Sequence, residues 1–461
     1  MHIAVLGGGP GGYSAAFEAA RLGAEVTLIE RERLGGTCLN RGCVPTKAIL
    51  RSARVLKDAR AAEEFGLAFD GGASVDVDAL RARKEGIVSE LVGQIEGAAK
   101  RLKVEVVSGQ GRLTAPRTIE VALADGGVRT VSADAVILAT GSVVFELPGI
   151  DHGPDGVWTS DDAIALSGIP PKITIIGGGV IGLEFACAYA AFGSTVHVVE
   201  LTPQVLPGND KRVVRLVQQE LEGMGVAFHL GDAVESVERR ADGRMLAHLK
   251  SGAMLESDVV MSAVGRVPNS SGFGFEEVGL EFDRRAIKVD GHFRTSLDGV
   301  FAIGDLIGGV MLAHVAEEEG VAAARNAAAE LSGKPAAHTV DPDCLPACVY
   351  TFPEVATVGM SRDSAKERGL DAVQVVAKFA GNGKALAEGE GAGFVQLVAE
   401  KGTGRVLGCQ IVGPHAVEII HEVALCIHRG VTVGEVAHMV HAHPTVSEVV
   451  KAAAADAAGK I

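Results

Sequence analysis

Apolar residues in this chain come in short unbroken runs that end on glycine. Residues 3–6 (Ile-Ala-Val-Leu) lead straight into Gly7, Gly8 and Gly9. Small residues then recur at Ala15, Ala16, Ala19 and Ala20, the three-and-four spacing of one helix face. A second apolar run over 25–29 ends at the acid Glu30. The same order returns later: residues 173–176 lead into Gly177, Gly178 and Gly179, a helical stretch carries Gly182 and Glu184, and a strand over 195–199 ends at Glu200. Glu30 lies 23 positions after Gly7, and Glu200 lies 23 after Gly177. Two more apolar runs stop in small-residue turns, 136–138 before Ala139-Thr140-Gly141-Ser142 and 300–303 before Gly304-Asp305, and a helix is predicted over Ala313–Leu331. The pattern predicts an α/β protein with two Rossmann-like dinucleotide-binding domains.

The glycine spacing has a physical reading. Gly7, Gly9 and Gly12, and again Gly177, Gly179 and Gly182, fall at the G-x-G-x-x-G positions. Such glycines permit a tight turn and a close backbone approach to a pyrophosphate, which then faces the helix N-terminus. The acid closing the second strand accepts from ribose hydroxyls. Strand, turn, helix, strand and acid all occur in order, which a ligand-free glycine turn would not require. Two copies imply two dinucleotides, and hydride passes between two only if one is a flavin and the other a nicotinamide. Glu200 would repel a 2′-phosphate, and residues 201–204 offer no arginine to hold one, so NAD is expected rather than NADP.

Between the two patterns lies Gly-Gly-Thr-Cys-Leu-Asn-Arg-Gly-Cys-Val-Pro-Thr-Lys, residues 35–47, with thiols at Cys38 and Cys43. A dithiol this close can shut into a small-ring disulfide and reopen by taking two electrons. At 461 residues the chain is too long for one ordinary core, so several domains are expected. A net charge of −15 without any basic cluster argues against a nucleic-acid partner. No apolar run approaches the ~20 residues a bilayer span needs. The chain enters a strand at once, with no basic leader, which points to the cytoplasm. Seven cysteines in so long a chain do not make a secreted disulfide framework, so a close pair suggests redox or metal chemistry. Zinc would need two further ligands near Cys38 and Cys43, and the neighbouring sequence supplies none. His438, His441 and His443 also lack an acid or cysteine at ligand spacing, so no metal is expected. Cys187, Cys409 and Cys426 read as core, and Cys344 with Cys348 as small hydrophobes more readily than a second redox pair. Glu317-Glu318-Glu319 reads as a solvated helix face, and Asn269 as part of a turn.

Together these motifs resemble the pyridine nucleotide–disulfide oxidoreductases. The resemblance spans essentially the whole chain, continuing through residues 311–320 and 350–356 to His-Ala-His-Pro-Thr-Val-Ser-Glu at 441–448. It implies a homodimer with an FAD domain over 1–145, an NAD domain over 146–266, a central region over 267–337 that completes the FAD site, and an α+β dimerisation domain over 338–461. Carried over by position, Cys43 would lie against the flavin and Cys38 would exchange with substrate. Both are expected near a helix start, where the dipole favours thiolate. Lys47 resembles the lysine beside the flavin and Glu184 the acid paired with it near the nicotinamide. The implied FAD set is Gly7, Gly9, Gly12, Glu30, Lys47, Thr140, Gly141, Gly304, Asp305 and Ala313. The implied NAD set is Gly177, Gly179, Gly182, Glu200 and Gly265. His443 resembles the general base and Glu448 the carboxylate that orients it, a pairing that also makes sense unaided, since a carboxylate fixes the imidazole tautomer. Leu39-Asn40 and the His443-to-Glu448 spacing sit closest to the branch that oxidises a protein-bound dihydrolipoyl dithiol with NAD+. The implied partner is therefore a lipoyl-bearing protein of a 2-oxoacid dehydrogenase or glycine cleavage complex.

Overall fold

A computed structural model describes residues 1–68 and 72–461. The chain divides into two compact units, one formed by Met1–Ile49, Asp76–Gly168 and Val264–Val340, the other by Leu50–Val75, Ile169–Ala263 and Asp341–Ile461.

The first unit is built on a sheet whose parallel strands run in the order Val300–Ala302, Ala135–Leu138, His2–Leu6, Glu25–Glu30 and Glu105–Ala115, extended by an antiparallel meander. Its central strands, residues 3–6, 135–138 and 300–302, are apolar throughout because both faces are covered. Ile3, Val5 and Leu28 pack one way, against Ala16, Ala323 and Ala327 of two helices. Ala4, Leu6 and Ile29 pack the other way, against Leu113, Ile119 and Phe275. The period of two is thus present but hidden, since each strand alternates between two buried faces.

The helices Pro10–Arg21 and Ala313–Leu331 meet backbone to backbone. A Cβ on Gly320 would lie 2.3 Å from the Gly11 carbonyl oxygen, and one on Gly11 would lie 2.9 Å from that of Ala316. Small residues on both faces make this approach possible. It holds the start of the Ala313 helix beside the first glycine loop.

The second unit repeats the nucleotide-binding arrangement. Its parallel strands are ordered Val226–Leu230, Thr195–Glu200, Lys172–Ile176 and Val259–Ser262, with the helix Val180–Phe192 after the glycine loop. It also holds a three-stranded antiparallel sheet, Val234–Arg239, Met245–Leu249 and Met254–Ser257, and a five-stranded one, ordered Ala347–Val349, Glu354–Gly359, Val406–Gly413, Phe394–Glu400 and Ala372–Lys378. Helices Ala416–Arg429 and Glu448–Ala458 pack on it through Ile420, Val450 and Ala454, opposite Val375, Leu397 and Ile411. Cys187 and Cys409 are fully or almost fully buried and Cys426 is nearly so, as expected of core cysteines. Among the described residues no helix is long and apolar enough to cross a membrane.

The contact between the two small-residue helices is directly testable. Gly320→Val places two methyl groups against the Gly11 carbonyl and should destabilise the chain by about 1–3 kcal/mol. The readout is the urea midpoint of the first unit's transition, and an unchanged midpoint would contradict so close a packing.

Candidate active site

Both glycine loops are bonded in the same way. In the first, Gly7 has φ 108°, and a Cβ on Gly12 would sit 1.8 Å from the Gly7 carbonyl oxygen. In the second, Gly177 has φ 108° and the corresponding distance from Gly182 is 2.0 Å. No side chain can replace these glycines without opening the turn. Glu30 accepts from the backbone N–H groups of Gly8 (2.7 Å) and Glu32 (2.8 Å). Glu200 accepts from those of Gly178 (2.6 Å) and Thr202 (2.8 Å). Each carboxylate is therefore fixed at its strand end, and its unused lone pairs remain available to hydroxyl donors. Above the loops there is room. A Cβ on Gly9 would meet only the Gly36 Cα, at 3.8 Å, and one on Gly179, Gly141 or Gly265 would meet nothing within 4 Å. Open space over a helix N-terminus beside an anchored carboxylate fits a dinucleotide in both units.

The remaining flavin-set residues gather at the C-terminal ends of neighbouring strands. Leu138 and Ala302 pair in register, so Thr140-Gly141 and Gly304-Asp305 leave the sheet side by side. Asn269 is more than a turn residue. Its N–H donates to the Gly141 carbonyl (2.9 Å), its side-chain amide donates to the Thr140 carbonyl (3.2 Å), and Thr140 Oγ1 donates to the Asn269 carbonyl (2.8 Å). Ala313 is the first residue of the 19-residue helix beyond this turn. The expectation of a solvated acidic face fails here. Glu318 is exposed, but Glu317 accepts from the Tyr13 hydroxyl (2.6 Å) and Glu319 accepts from the Gly304 N–H (2.7 Å). Burial pushes the Glu319 carboxyl up to about 7, the Gly304 N–H opposes this, and the charge of Asp305 adds to it. A charge run in sequence carries no sign of which members a neighbouring turn will recruit.

The dithiol segment is stapled to the first glycine loop. Gly35 (φ 100°) donates its N–H to the Gly8 carbonyl at 2.8 Å, and a Cβ on Gly36 would lie 2.6 Å from the Gly9 Cα. Cys38 lies in the short helix Gly36–Arg41, and Cys43 opens the helix Cys43–Arg60. The Asn40 amide donates to the carbonyls of Leu34 (3.1 Å) and Gly36 (2.9 Å) and holds the first turn in shape. Cys43 is exposed and Cys38 half-buried. The helix start does not make a thiolate of Cys38. A hydrogen bond shared with Cys43, and then burial, push its thiol up, because two touching sulfurs cannot both ionise. Tyr13, whose hydroxyl is pushed up by burial and by its bond to Glu317, lies within electrostatic reach of both sulfurs. Sequence reading missed Tyr13, whose only signal is its place one turn into the first helix. Lys47 stands four positions after Cys43 on the same helix, so both lie along one face.

In the second unit Glu184 is 3% exposed and accepts from the Tyr350 N–H at 3.0 Å. The three C-terminal histidines do not form one centre. His438 Nδ1 bonds the Gly434 carbonyl (2.7 Å), and His441 Nε2 bonds Glu422 (2.9 Å). His443 Nδ1 bonds Glu448 Oε1 (2.9 Å), whose other oxygen accepts from the Thr445 N–H (2.9 Å). That N–H, and then His443, hold the Glu448 carboxyl below its usual range. An ionised carboxylate only accepts, so His443 Nδ1 carries the hydrogen and Nε2 is left as the proton acceptor on a ring that is 79% exposed. Cys344 donates to the Ala424 carbonyl (3.1 Å), a bond in keeping with a small core residue.

Comparison with known proteins agrees with this geometry. Residues 1–320 match the family described as pyridine nucleotide-disulphide oxidoreductase, and residues 345–454 match its dimerisation domain. A dihydrolipoyl dehydrogenase of Haloferax volcanii is 39% identical over 465 residues, covering 99% of this chain and 96% of the relative. One from Vibrio cholerae is 40% identical over 459 residues, covering 98% and 94%. The solved structure of LpdA from Mycobacterium tuberculosis has a TM-score of 0.92 at 28% identity and covers 99% of both chains.

Glu319 generates a pH prediction. Its carboxyl holds a proton more tightly in the folded chain than in the unfolded one, so its contribution to stability is complete below about pH 4.5 and disappears as pH rises through about 7. Relative to wild type, Glu319→Gln should therefore gain stability steadily across that window. Parallel stability–pH curves for the two proteins would exclude the assignment.

Proposed function

Because this chain belongs to the pyridine nucleotide–disulphide oxidoreductases, flavoproteins that use FAD and NAD(H), we propose that it is a dihydrolipoyl dehydrogenase. The observation that carries this reading is the joining of the Cys38–Cys43 segment to the first glycine loop through Gly35 and Gly8. It places a dithiol beside a dinucleotide site. The match to a dimerisation domain supports a homodimer. We divide the chain into an FAD domain (1–145), an NAD domain (146–266), a central region (267–337) and an interface domain (338–461), acting in the cytoplasm on lipoyl groups carried by a 2-oxoacid dehydrogenase or glycine cleavage complex.

In the proposed cycle a substrate thiol gives its proton to His443 Nε2, and the resulting thiolate attacks Cys38 in the Cys38–Cys43 disulfide. The S–S bond breaks and Cys43 leaves with the electron pair. The second substrate thiol then displaces Cys38 from the mixed disulfide, closing the substrate ring and returning Cys38 to its protonated form. Two electrons now rest on the enzyme pair, with one proton on His443 and one on Cys38. The tight hold of Cys38 on its proton supports that division. Glu448 stabilises the His443 cation without taking its proton. The family resemblance implies that the base comes from the other subunit of the homodimer, so each active site would need the dimer. Gly7, Gly9, Gly12, Glu30, Thr140, Gly141, Gly304, Asp305 and Ala313 would hold FAD, with Lys47 beside it. Gly177, Gly179, Gly182, Glu200 and Gly265 would hold NAD, with Glu184 near the nicotinamide. Bound FAD supplies the two-electron relay and NAD+ the final hydride acceptor.

Mixing the protein with dihydrolipoamide and NAD+ should produce NADH, followed by its absorbance. Cys38→Ser should lower that rate by at least about a thousandfold while FAD stays bound, since no exchanging sulfur remains. An FAD-loaded wild type that makes no NADH would reject the dehydrogenase reading. The anchored carboxylate of Glu200 generates a separate expectation. Replacing it with Ser and adding Arg at Thr202 should turn preference toward NADP, measured as the ratio of kcat/KM for the two nucleotides. An unchanged ratio would place the selectivity elsewhere.

A further inference from the structure

Ser142 and Arg266 carry no assigned role, yet their bonds lead directly to Asp305. Ser142 opens the strand Ser142–Val144, which pairs antiparallel with Arg266–Pro268. Arg266 Nε donates to Ser142 Oγ at 2.8 Å, and Nη2 donates to the Ser142 carbonyl at 2.8 Å. A guanidinium keeps its protons and has no acceptor, so Ser142 Oγ must receive the first bond. The hydroxyl is left with one hydrogen to give. It goes to Asp305 Oδ2, 2.5 Å away, a short bond from a hydroxyl to a charged acceptor. The direction of the chain is therefore fixed from arginine to serine to aspartate. Ser142 is 8% exposed, so water does not compete freely for these bonds. The charged and titratable groups facing Arg266 are Asp161, Asp305, Arg41 and Cys43, with the two carboxylates balancing the cation that burial disfavours.

The surroundings hold this chain in place. Asn269, three residues after Arg266, clamps Thr140 and Gly141 immediately before Ser142. Glu319 holds the Gly304 N–H at a backbone turn with φ 67°. The Asp305 carboxylate is thus set from the serine side and its backbone from the glutamate side.

We propose that Arg266 and Ser142 are positioning residues for FAD, which fix the Asp305 carboxylate in the orientation that accepts a polyol hydroxyl of the flavin side chain. This rests on the flavoprotein reading above. A carboxylate oriented before the ligand arrives loses no rotamer freedom on binding, so affinity rises without any contact from Ser142 or Arg266 to the cofactor.

The test is FAD affinity, not turnover. Apo-protein is titrated with FAD and followed by quenching of flavin fluorescence, for wild type, Ser142→Ala, Asp305→Asn and the double variant, with circular dichroism to verify the fold. Ser142→Ala should weaken FAD binding by about tenfold or more, which corresponds to roughly 1.4 kcal/mol. In the Asp305→Asn background the same change should have little effect, because the serine acts through the aspartate. Ser142→Thr, which keeps the hydroxyl, should recover most of the affinity. Arg266→Met should resemble Ser142→Ala; if it does not fold, the serine–aspartate cycle decides alone. Wild-type affinity in Ser142→Ala, or equal losses in both backgrounds, would overturn the inference. A wild type that takes up no FAD would instead overturn the flavoprotein reading itself, so the two failures are told apart by the wild-type titration.

Discussion

One backbone hydrogen bond, from Gly35 N–H to the Gly8 carbonyl, makes this nucleotide fold capable of disulfide chemistry. It joins the loop that approaches a pyrophosphate to the segment that carries Cys38 and Cys43. The bond is possible only because no Cβ intervenes, since one on Gly36 would strike the backbone of Gly9. Four glycines in contact, Gly35 with Gly8 and Gly36 with Gly9, thus set where two sulfurs stand. The packing of the Pro10 and Ala313 helices, again backbone to backbone, holds the same loop from its other side.

The two nucleotide halves show how one design is put to two uses. Each holds a glutamate at the end of its second strand and feeds both oxygens with backbone N–H groups, at nearly equal distances. The halves diverge beyond that acid. After Glu30 the chain turns back through Gly35 to the dithiol, whereas after Glu200 it passes Thr202 and continues to the helix Lys211–Gly223. The shared half is recognition of a ribose and a pyrophosphate, and the chemistry lies in the connection.

Electrostatics at the site runs toward keeping protons rather than losing them. Cys38 and Glu319 are both pushed up, one chiefly by a neighbouring sulfur and the other by burial. The His443–Glu448 pair is placed differently, with the ring exposed and bonded to a carboxylate held below its usual range. As the proposed base, His443 has to be accessible to an incoming substrate, whereas hydrogen bonds inside the site are strengthened by exclusion of water.

The glycine patterns, the acids at fixed distance from them, the dithiol and the His443–Glu448 pair were legible in the amino-acid order, because each is local: a turn, a strand end or five residues of chain decides it. The continuous apolar runs also disclosed strands covered on both faces. The order could not disclose that Glu319 bonds Gly304, that Asn269 clamps Thr140 and Gly141, or that Arg266 reaches Asp305 through Ser142. It also misjudged Cys38, whose helix position favours a thiolate while the sulfur beside it does not. Sequence alone determined which residues are candidates for the chemistry. Tertiary structure decided which of them touch, because burial, and bonds such as those joining Arg266, Ser142 and Asp305 across more than a hundred positions each, exist only once the sheet brings the strand ends together.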